Sequence, residues 1–215
     1  SNSEYLEQEI KPLISKFLAD RGLKLSEEKT RITHIKEGFD FLGFNVRKYK
    51  HKCLTKPGKD SVKSIFESIS KCVSNHKAVS QEELIRMITP KITGWANFFR
   101  HSAAKQTFSL LDNKVYKLLW KWAKRRHPKK GARWIKARYF KTKGNRHWVF
   151  SATDKKLTHE LPLFDATKII RHIKIKNLSN PYDKEWESYF KERTKRRRTN
   201  QLQISHYNLT TGLLK

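Results

Sequence analysis

Lysines and arginines fill the gaps between the aromatics of WKWAKRRHPKKGARWIKARYF, residues 120–140, and no acid interrupts them. Two chemistries suit that pattern. Cationic side chains neutralise phosphates and release their condensed counterions, and flat aromatic faces stack on unpaired bases. The wider span repeats it: between Glu83 and Asp154 the single acid is Asp112, against eighteen Lys and Arg. An ordinary solvated face mixes both signs, so this one points to a polyanion. Trp95, Phe99 and Trp122 fall in helical register with other apolar residues and read as core. Trp120, Trp134, Tyr139 and Trp148 are freer, and are the candidates for stacking on bases or ribose.

Catalytic constellations are missing. No carboxylate pair has the context of a metal site, and there is no Gly-x-Ser-x-Gly, phosphate-binding glycine loop or metal-spaced His/Cys set. His127, in Arg-Arg-His-Pro, is better placed to cap a helix end or touch a phosphate than to act as a base. The residues read as those of a binder, with no metal and no cofactor of its own.

Bulk composition agrees. The 215 residues hold 48 Lys and Arg against 20 Asp and Glu, a formal net charge of +28. Self-repulsion of that size destabilises a compact state unless a polyanion relieves it. Nucleic acid is the first expectation, an anionic membrane surface the second. No stretch is long and apolar enough to span a bilayer, and the first residues lack a signal peptide's apolar core. Cys53 and Cys72 stand apart and suggest buried or inert thiols in a reducing interior. The expected location is the cytoplasm, with association with a bacterial nucleoid as the alternative.

These residues need positioning elements. Leu6, Ile10, Leu13, Ile14, Phe17 and Leu18 recur at helical spacing, with Pro12 as a kink or a later start and Gly22 as the C-terminal cap. Lys29 to Ile35 reads as a strand, and Phe39 to Tyr49 as its return after a turn at Gly38. Lys56 to Asp60 reads as a loop capped by Asp60 or Ser61. The following helix carries Val62, Ile65, Phe66, Ile69 and Val73 on one face. Ser80 to Glu83 is a capping box before Leu84, Ile85 and Ile88. Thr89-Pro90 then suggests a fresh helix start, with Ile92, Trp95 and Phe99 on the apolar face. A long helix is expected from Ala104 to Arg126, with Phe108, Leu111, Val115, Leu118 and Trp122 inward. Lys114, Lys117, Lys121 and Lys124 sit about 100° around from that stripe. His127-Pro128 ends it. Residues 132–140 read as helix or strand, Arg146 to Ala152 as a short strand, and Leu163 to Lys176 as helix. Asn180 to Arg198 starts with a turn and becomes a charged helix. Thr199 to Lys215 reads as a linker or frayed tail. The fold class is mainly α with a small β-hairpin start (α+β), a helical bundle followed by a basic mixed α/β tail. Three zones are expected: 1–50, 51–130 and 131–215.

Several motifs now occur in a telling order. GLKLSEEKTRITHI and GFDFLGF, within Gly22 to Phe44, resemble the last palm motifs of group II intron reverse transcriptases. ITGWANFFRH, followed by FSLLDNKVYKLLWKWAKRRHP, resembles the thumb or maturase-specific (X) segment of the same family. RHIKIKNLSNPYDKEWESYFKER is similar to the segment leading into the family's DNA-binding part. The resemblance implies an end of palm at 1–50, a thumb/maturase domain at 51–130 and a nucleic-acid-binding segment at 131–215. The family's Tyr-x-Asp-Asp is not in the sequence, and neither is its Cys-rich zinc endonuclease module. The expectation is therefore the C-terminal part of an intron-encoded protein that does not polymerise by itself.

Carried over by position, Phe41, Leu42, Gly43 and Phe44 match the hairpin that grips the primer strand, and Lys29 matches a lysine near the polymerase site. Gly94, Trp95, Ala96, Asn97 and the helix to His127 match the bundle that contacts intron RNA. The implied RNA contacts are Arg100, Lys105, Lys114, Lys117, Lys121, Lys124, Arg125, Arg126, His127, Lys129, Lys130, Arg133, Lys136, Arg138 and Lys141. Arg125, Arg126, His127, Lys129 and Lys130 lead that set. Lys191, Arg193, Lys195, Arg196, Arg197 and Arg198 suit contact with target DNA, or form a solvated linker. The expected partner is group II intron RNA, with target-site DNA as a further one. Magnesium is expected with that RNA and with a parent polymerase. The leading expectation is an RNA-binding maturase fragment that assists splicing and mobility. The alternatives are part of an active RNA-directed DNA polymerase, a DNA-target-binding module, or a basic structural protein of a ribonucleoprotein.

Overall fold

A computed structural model describes residues 3–154, 157–171, 175–176 and 178–210. It divides into two units, Ser1–Thr55 and Lys56–Lys215. The fold is α+β, with two three-stranded antiparallel sheets beside the helices.

The first unit starts with helix α1 (Ser3–Tyr5), passes through a π-helical turn (Leu6–Ile10) and continues as α2 (Lys11–Ala19). Pro12 lacks an N–H and its ring crowds the preceding turn, so the wider π turn just before it lets the chain stay helical. Gly22 closes α2 at φ 69°, and the Leu23 N–H reaches the Leu18 carbonyl at 2.9 Å. That is the left-handed cap expected of a glycine. Residues 29–35 form no strand, contrary to the sequence expectation; a turn at 27–29 and isolated bonds occupy them instead. The segment from Phe39 to Tyr49 is a hairpin and not a single strand. Strand β1 (Phe39–Phe41) pairs with β2 (Phe44–Tyr49) across Leu42-Gly43, in register Phe41 to Phe44. Strand β3 (Lys52–Pro57) completes the sheet in the order β1-β2-β3. It occupies residues that sequence reasoning assigned partly to a loop. Gly38, at φ 77°, has no room for a Cβ, which would meet Arg47 and the Val46 carbonyl at 2.9 Å.

The second unit is built on three helices. Helix α3 (Lys59–Asn75) starts at Gly58, not at Asp60 or Ser61, and turns Ile65, Ile69 and Val73 inward. Helix α4 (Gln81–Phe99) starts at the capping box, where Ser80 Oγ accepts from the Glu83 N–H at 3.1 Å. No second helix begins at Thr89-Pro90: α4 runs unbroken through Pro90. Its buried face of Leu84, Ile85, Ile88, Ile92, Ala96 and Phe99 crosses the proline in register. Burying that face, at roughly 1.5–3 kcal/mol per large apolar side chain, outweighs one lost backbone bond. Helix α5 (Lys105–Arg126) buries Phe108, Leu111, Val115, Leu119, Trp122 and Ala123; Leu119 takes the place expected for Leu118. Helix α6 (Ala132–Tyr139) leads directly into β4 (Phe140–Lys143), which settles the helix-or-strand ambiguity as one of each.

Strand β4 pairs with β5 (Arg146–Asp154), and β5 with β6 (Leu157–Glu160), all antiparallel. This sheet packs on α4, and Gln81 Nε2 donates to both the Tyr139 and Ser151 carbonyls, at 2.9 and 3.0 Å. Phe140, Val149, Phe150, Leu161 and Phe164 are buried with the helices. Residues 163–171 are irregular, not helical; residues 172–174 of that expected helix lie outside the described ones. A 3-10 turn (Lys184–Trp186) precedes α7 (Glu187–Thr210). Residues 199–210, expected to lack structure, continue α7, and 211–215 lie outside the described residues. Cys72 is half-buried and Cys53 is exposed, so of the expected alternatives, buried or inert, burial does not apply to Cys53. Among the described residues no helix is long and apolar enough to cross a membrane.

Candidate nucleic-acid interface

The amphipathic register of α5 sorts its side chains. With Phe108, Leu111, Val115, Leu119 and Trp122 inward, Lys114, Lys117, Lys121, Lys124 and Arg125 are left exposed. The loop after α5 adds exposed Lys129 and Lys130, and α6 adds Arg133, Lys136 and Arg138. Helix α6 packs on α5, so these cations lie on neighbouring elements. Among the described residues the side chains of Lys117, Lys121, Lys124, Arg125, Lys129, Arg133 and Arg138 make no hydrogen bond or ion pair. Among these cations three lysines lie over aromatic rings: Lys114 over Phe66 at 5.3 Å, Lys130 over Trp134 at 5.6 Å and Lys136 over Trp148 at 4.5 Å.

Other expected contacts are drawn into the fold. Arg126 donates to the Val79 carbonyl and, at 3.2 Å, to the Lys77 carbonyl, and lies over the Trp122 ring at 4.7 Å. Its guanidinium thus satisfies carbonyls of the α3–α4 loop that would otherwise be orphaned. His127 ends α5, its Nε2 2.7 Å from the Tyr139 hydroxyl and its ring edge-on to Trp134 at 4.7 Å. Lys105 pairs with Asp165 at 3.2 Å, and Lys141 donates to Thr153 Oγ1 at 2.7 Å. Arg100 is half-buried and donates to Asn97 Oδ1 at 3.1 Å; loss of hydration lowers its pKa.

Asp112, the one acid of the span, is turned away from the cationic surface. Its two carboxylate oxygens accept the Phe164 and Asp165 N–H groups, both at 2.9 Å. Burial raises its pKa from 3.8 to about 6, against the opposing pull of those bonds and of Arg146. The exposed face therefore carries cations only, and the acid serves to fasten the loop after β6.

The aromatics divide as well. Trp95, in the Gly-Trp-Ala-Asn motif, packs with Phe99, Phe108 and Phe164 at centroid distances of 4.4, 6.0 and 5.6 Å. Trp122 is buried, and its indole N–H reaches the His76 carbonyl at 3.1 Å. Tyr139, expected to be free, is buried against Trp122 and Phe150. Trp120 is half-buried among Tyr116, Phe140 and Trp148. Trp134 and Trp148 keep 40% and 43% of their surface exposed. Trp148 alone among the tryptophans has a left-handed backbone, φ 75°. For a bulky residue that conformation costs on the order of 1–3 kcal/mol. Nothing in the sequence signals it.

The hairpin expected to grip a primer is present. Phe41 and Leu42 are 62% and 74% exposed, and Leu42 and Gly43 hold φ of 49° and 81°. Two successive positive φ values define the tight turn that matches strand twist. Phe44 is half-buried in β2 and Lys29 lies in the preceding turn. On α7, Lys191 pairs with Glu187 and Arg196 with Glu192, each at 2.6 Å. Lys195 and Arg198 are exposed, Arg193 is half-buried, and of Arg197 only the backbone is described. Among the described residues no three His, Cys, Asp or Glu gather as a metal site.

A helical bundle with a one-signed cationic face has the electrostatic footprint that suits a polyanion. The family comparison narrows it. Residues 62–140, from α3 to the start of β4, match the group II intron, maturase-specific domain. That stretch of the chain is thus similar to a maturase-specific domain. No curated protein matches the chain.

Proposed function

We propose that the chain binds structured group II intron RNA through the exposed face of α5 and α6 and thereby assists splicing and mobility. One observation carries this reading. Helices α5 and α6 of the matched stretch place Lys117, Lys121, Lys124, Arg125, Arg133 and Arg138 outward without counter-ions, while Asp112, the one acid of these two helices, points inward. Folded RNA offers dense phosphate and 2′-hydroxyl surfaces to such a face. The RNA catalyses; the protein holds its fold, and magnesium accompanies the RNA.

The test is a filter-binding titration of the intron RNA across salt, with a splicing assay at low magnesium. Charge reversal at Lys121 and Arg125 together is expected to weaken binding and to flatten the salt slope by roughly two counterions. An unchanged slope would sink the reading. Target-DNA contact by α7 is a second reading, supported by Lys195 and Arg198 along a groove with Phe190. It has less charge behind it, because Lys191 and Arg196 are already paired. A polymerase activity in a longer protein carrying this sequence is a further reading, supported by the resemblance of Phe41 to Phe44 to a primer-gripping hairpin.

A further inference from the structure

We propose that Trp148 is a stacking platform for an unpaired RNA base, with Lys136 taking the adjoining phosphate. The inference rests on the RNA-binding reading above and names the group that would distinguish looped from paired RNA.

Four observations converge. Trp148 is large, apolar and 43% exposed. Its backbone is held at φ 75°, where a bulky side chain is disfavoured, so the surrounding fold imposes the conformation. Such outliers persist where structure over-determines them, and they cluster at ligand sites. The indole is braced from within by edge contacts with Tyr116, Trp120 and Phe140, at 5.8, 5.8 and 6.0 Å. A braced ring loses little side-chain freedom on stacking, which favours binding. Lys136 Nζ covers the ring at 4.5 Å, and its flexible side chain would swing aside as a base stacks and reach the adjoining phosphate.

Trp134 is a natural control. It is 40% exposed and has Lys130 over it, but it sits in regular α6 with its ring edge-on to His127. It has the cation without the strained backbone or the three-ring brace. The neighbouring charge favours RNA over an apolar protein surface. Lys117 and Lys124, three and four residues from Trp120 on α5, share its helix face and are exposed.

The experiment uses the full chain and two fluorescent probes: a 12-nucleotide single-stranded RNA and a blunt RNA duplex of equal length. Trp148→Ala is expected to weaken the single strand by roughly tenfold to a hundredfold, the range of one lost base stack. The duplex should change by less than about twofold, since its bases are already stacked. Trp148→Phe should recover most of the loss, and Trp134→Ala should do little. Lys136→Ala should weaken both probes modestly and flatten the salt slope by about one counterion. Equal loss on both probes, or loss on neither, would overturn the inference, as would equal effects at Trp134 and Trp148. If the alanine variant unfolds, Trp148→Phe and Trp148→Gly decide. Glycine relieves the strained φ, so a folded glycine variant that still binds the single strand normally refutes the platform. Binding lost at Lys121 and Arg125 but untouched at Trp148 leaves the RNA reading standing; failure of both probes to bind the wild type removes both.

Discussion

Two regions of this chain carry similar apolar periodicity, and only one buries it. In α2, Leu13 and Phe17 keep 68% and 56% of their surface exposed, and no described residue before Pro57 is buried. In α4 and α5 the same spacing yields fully buried Leu84, Ile88, Ile92, Phe99, Phe108 and Leu111. An apolar stripe shows that a helix has a face to cover, not that the cover exists within the unit. The second unit supplies it with three helices and a sheet. The first has one helix and a small sheet, and exposes its stripe.

The sharpest way to break that contrast is to truncate one phenylalanine on each side. Phe108→Ala should cost about 3–5 kcal/mol by denaturant melting, through lost burial and a cavity. Phe17→Ala should stay within about 0.5 kcal/mol. Equal costs would show that α2 is covered after all.

A smaller contrast lies between neighbours at the end of α5. Arg126→Gln should lower stability by about 1–3 kcal/mol, because the Lys77 and Val79 carbonyls lose their donor. Arg125→Gln, exposed and unpaired, should leave the melting temperature unchanged. If it contacts phosphate, it should instead flatten the salt slope of RNA binding by about one counterion. A melting temperature that falls for Arg125→Gln and not for Arg126→Gln reverses the assignment.

Asp112 sharpens the contrast through pH. Its folded pKa is raised, to about 6, above its ordinary 3.8. Between those values the folded state holds more protons than the unfolded one, so this group favours folding at low pH and loses that contribution as pH rises through about 6. Asp112→Asn should be less stable than the wild type by about 1–2 kcal/mol near pH 4, since one loop N–H loses its acceptor. The gap should close as pH rises toward 6, with the variant overtaking the wild type, and the difference should then stay flat. A gap that widens with pH would mean that the loop N–H bonds, and not burial, dominate the site.

The smallest expected effect is at Gly94. It lies mid-helix in α4, and an added Cβ would meet nothing within 4 Å. Gly94→Ala should raise stability by about 0.5–1 kcal/mol, because alanine restricts the unfolded chain and fits the helix. A thermal melt that falls would show a neighbour at that position.

Much of the frame was legible beforehand. Ser80 and Glu83 mark the start of α4, His127 the end of α5, and the stripes of α3 and α5 name their buried faces almost to the residue. Each rests on signals within one or two turns: caps, period and breakers. The misses came where distant contacts overrode such signals. Pro90 sits inside α4 because Ile88 and Ile92 on either side are buried. Residues 163–171 are irregular because Asp112 and the pocket for Phe164 hold that segment as loop. Residues 29–35 have strand composition but no paired neighbour.

The candidate site divides in the same way. Composition alone determined that one stretch is cationic, nearly free of acid and rich in aromatics, because charge and residue type need no fold to exist. It also determined the helical register that sends Lys117, Lys121, Lys124 and Arg125 outward, since 3.6 residues per turn is a local property. Only the tertiary structure decided that Arg126 and His127 serve the fold, that Asp112 faces inward, and that Trp148 stands strained and braced at the surface. Those outcomes depend on carbonyls, rings and loops that lie some ten to fifty residues away in the chain, and no local pattern encodes which partner will arrive.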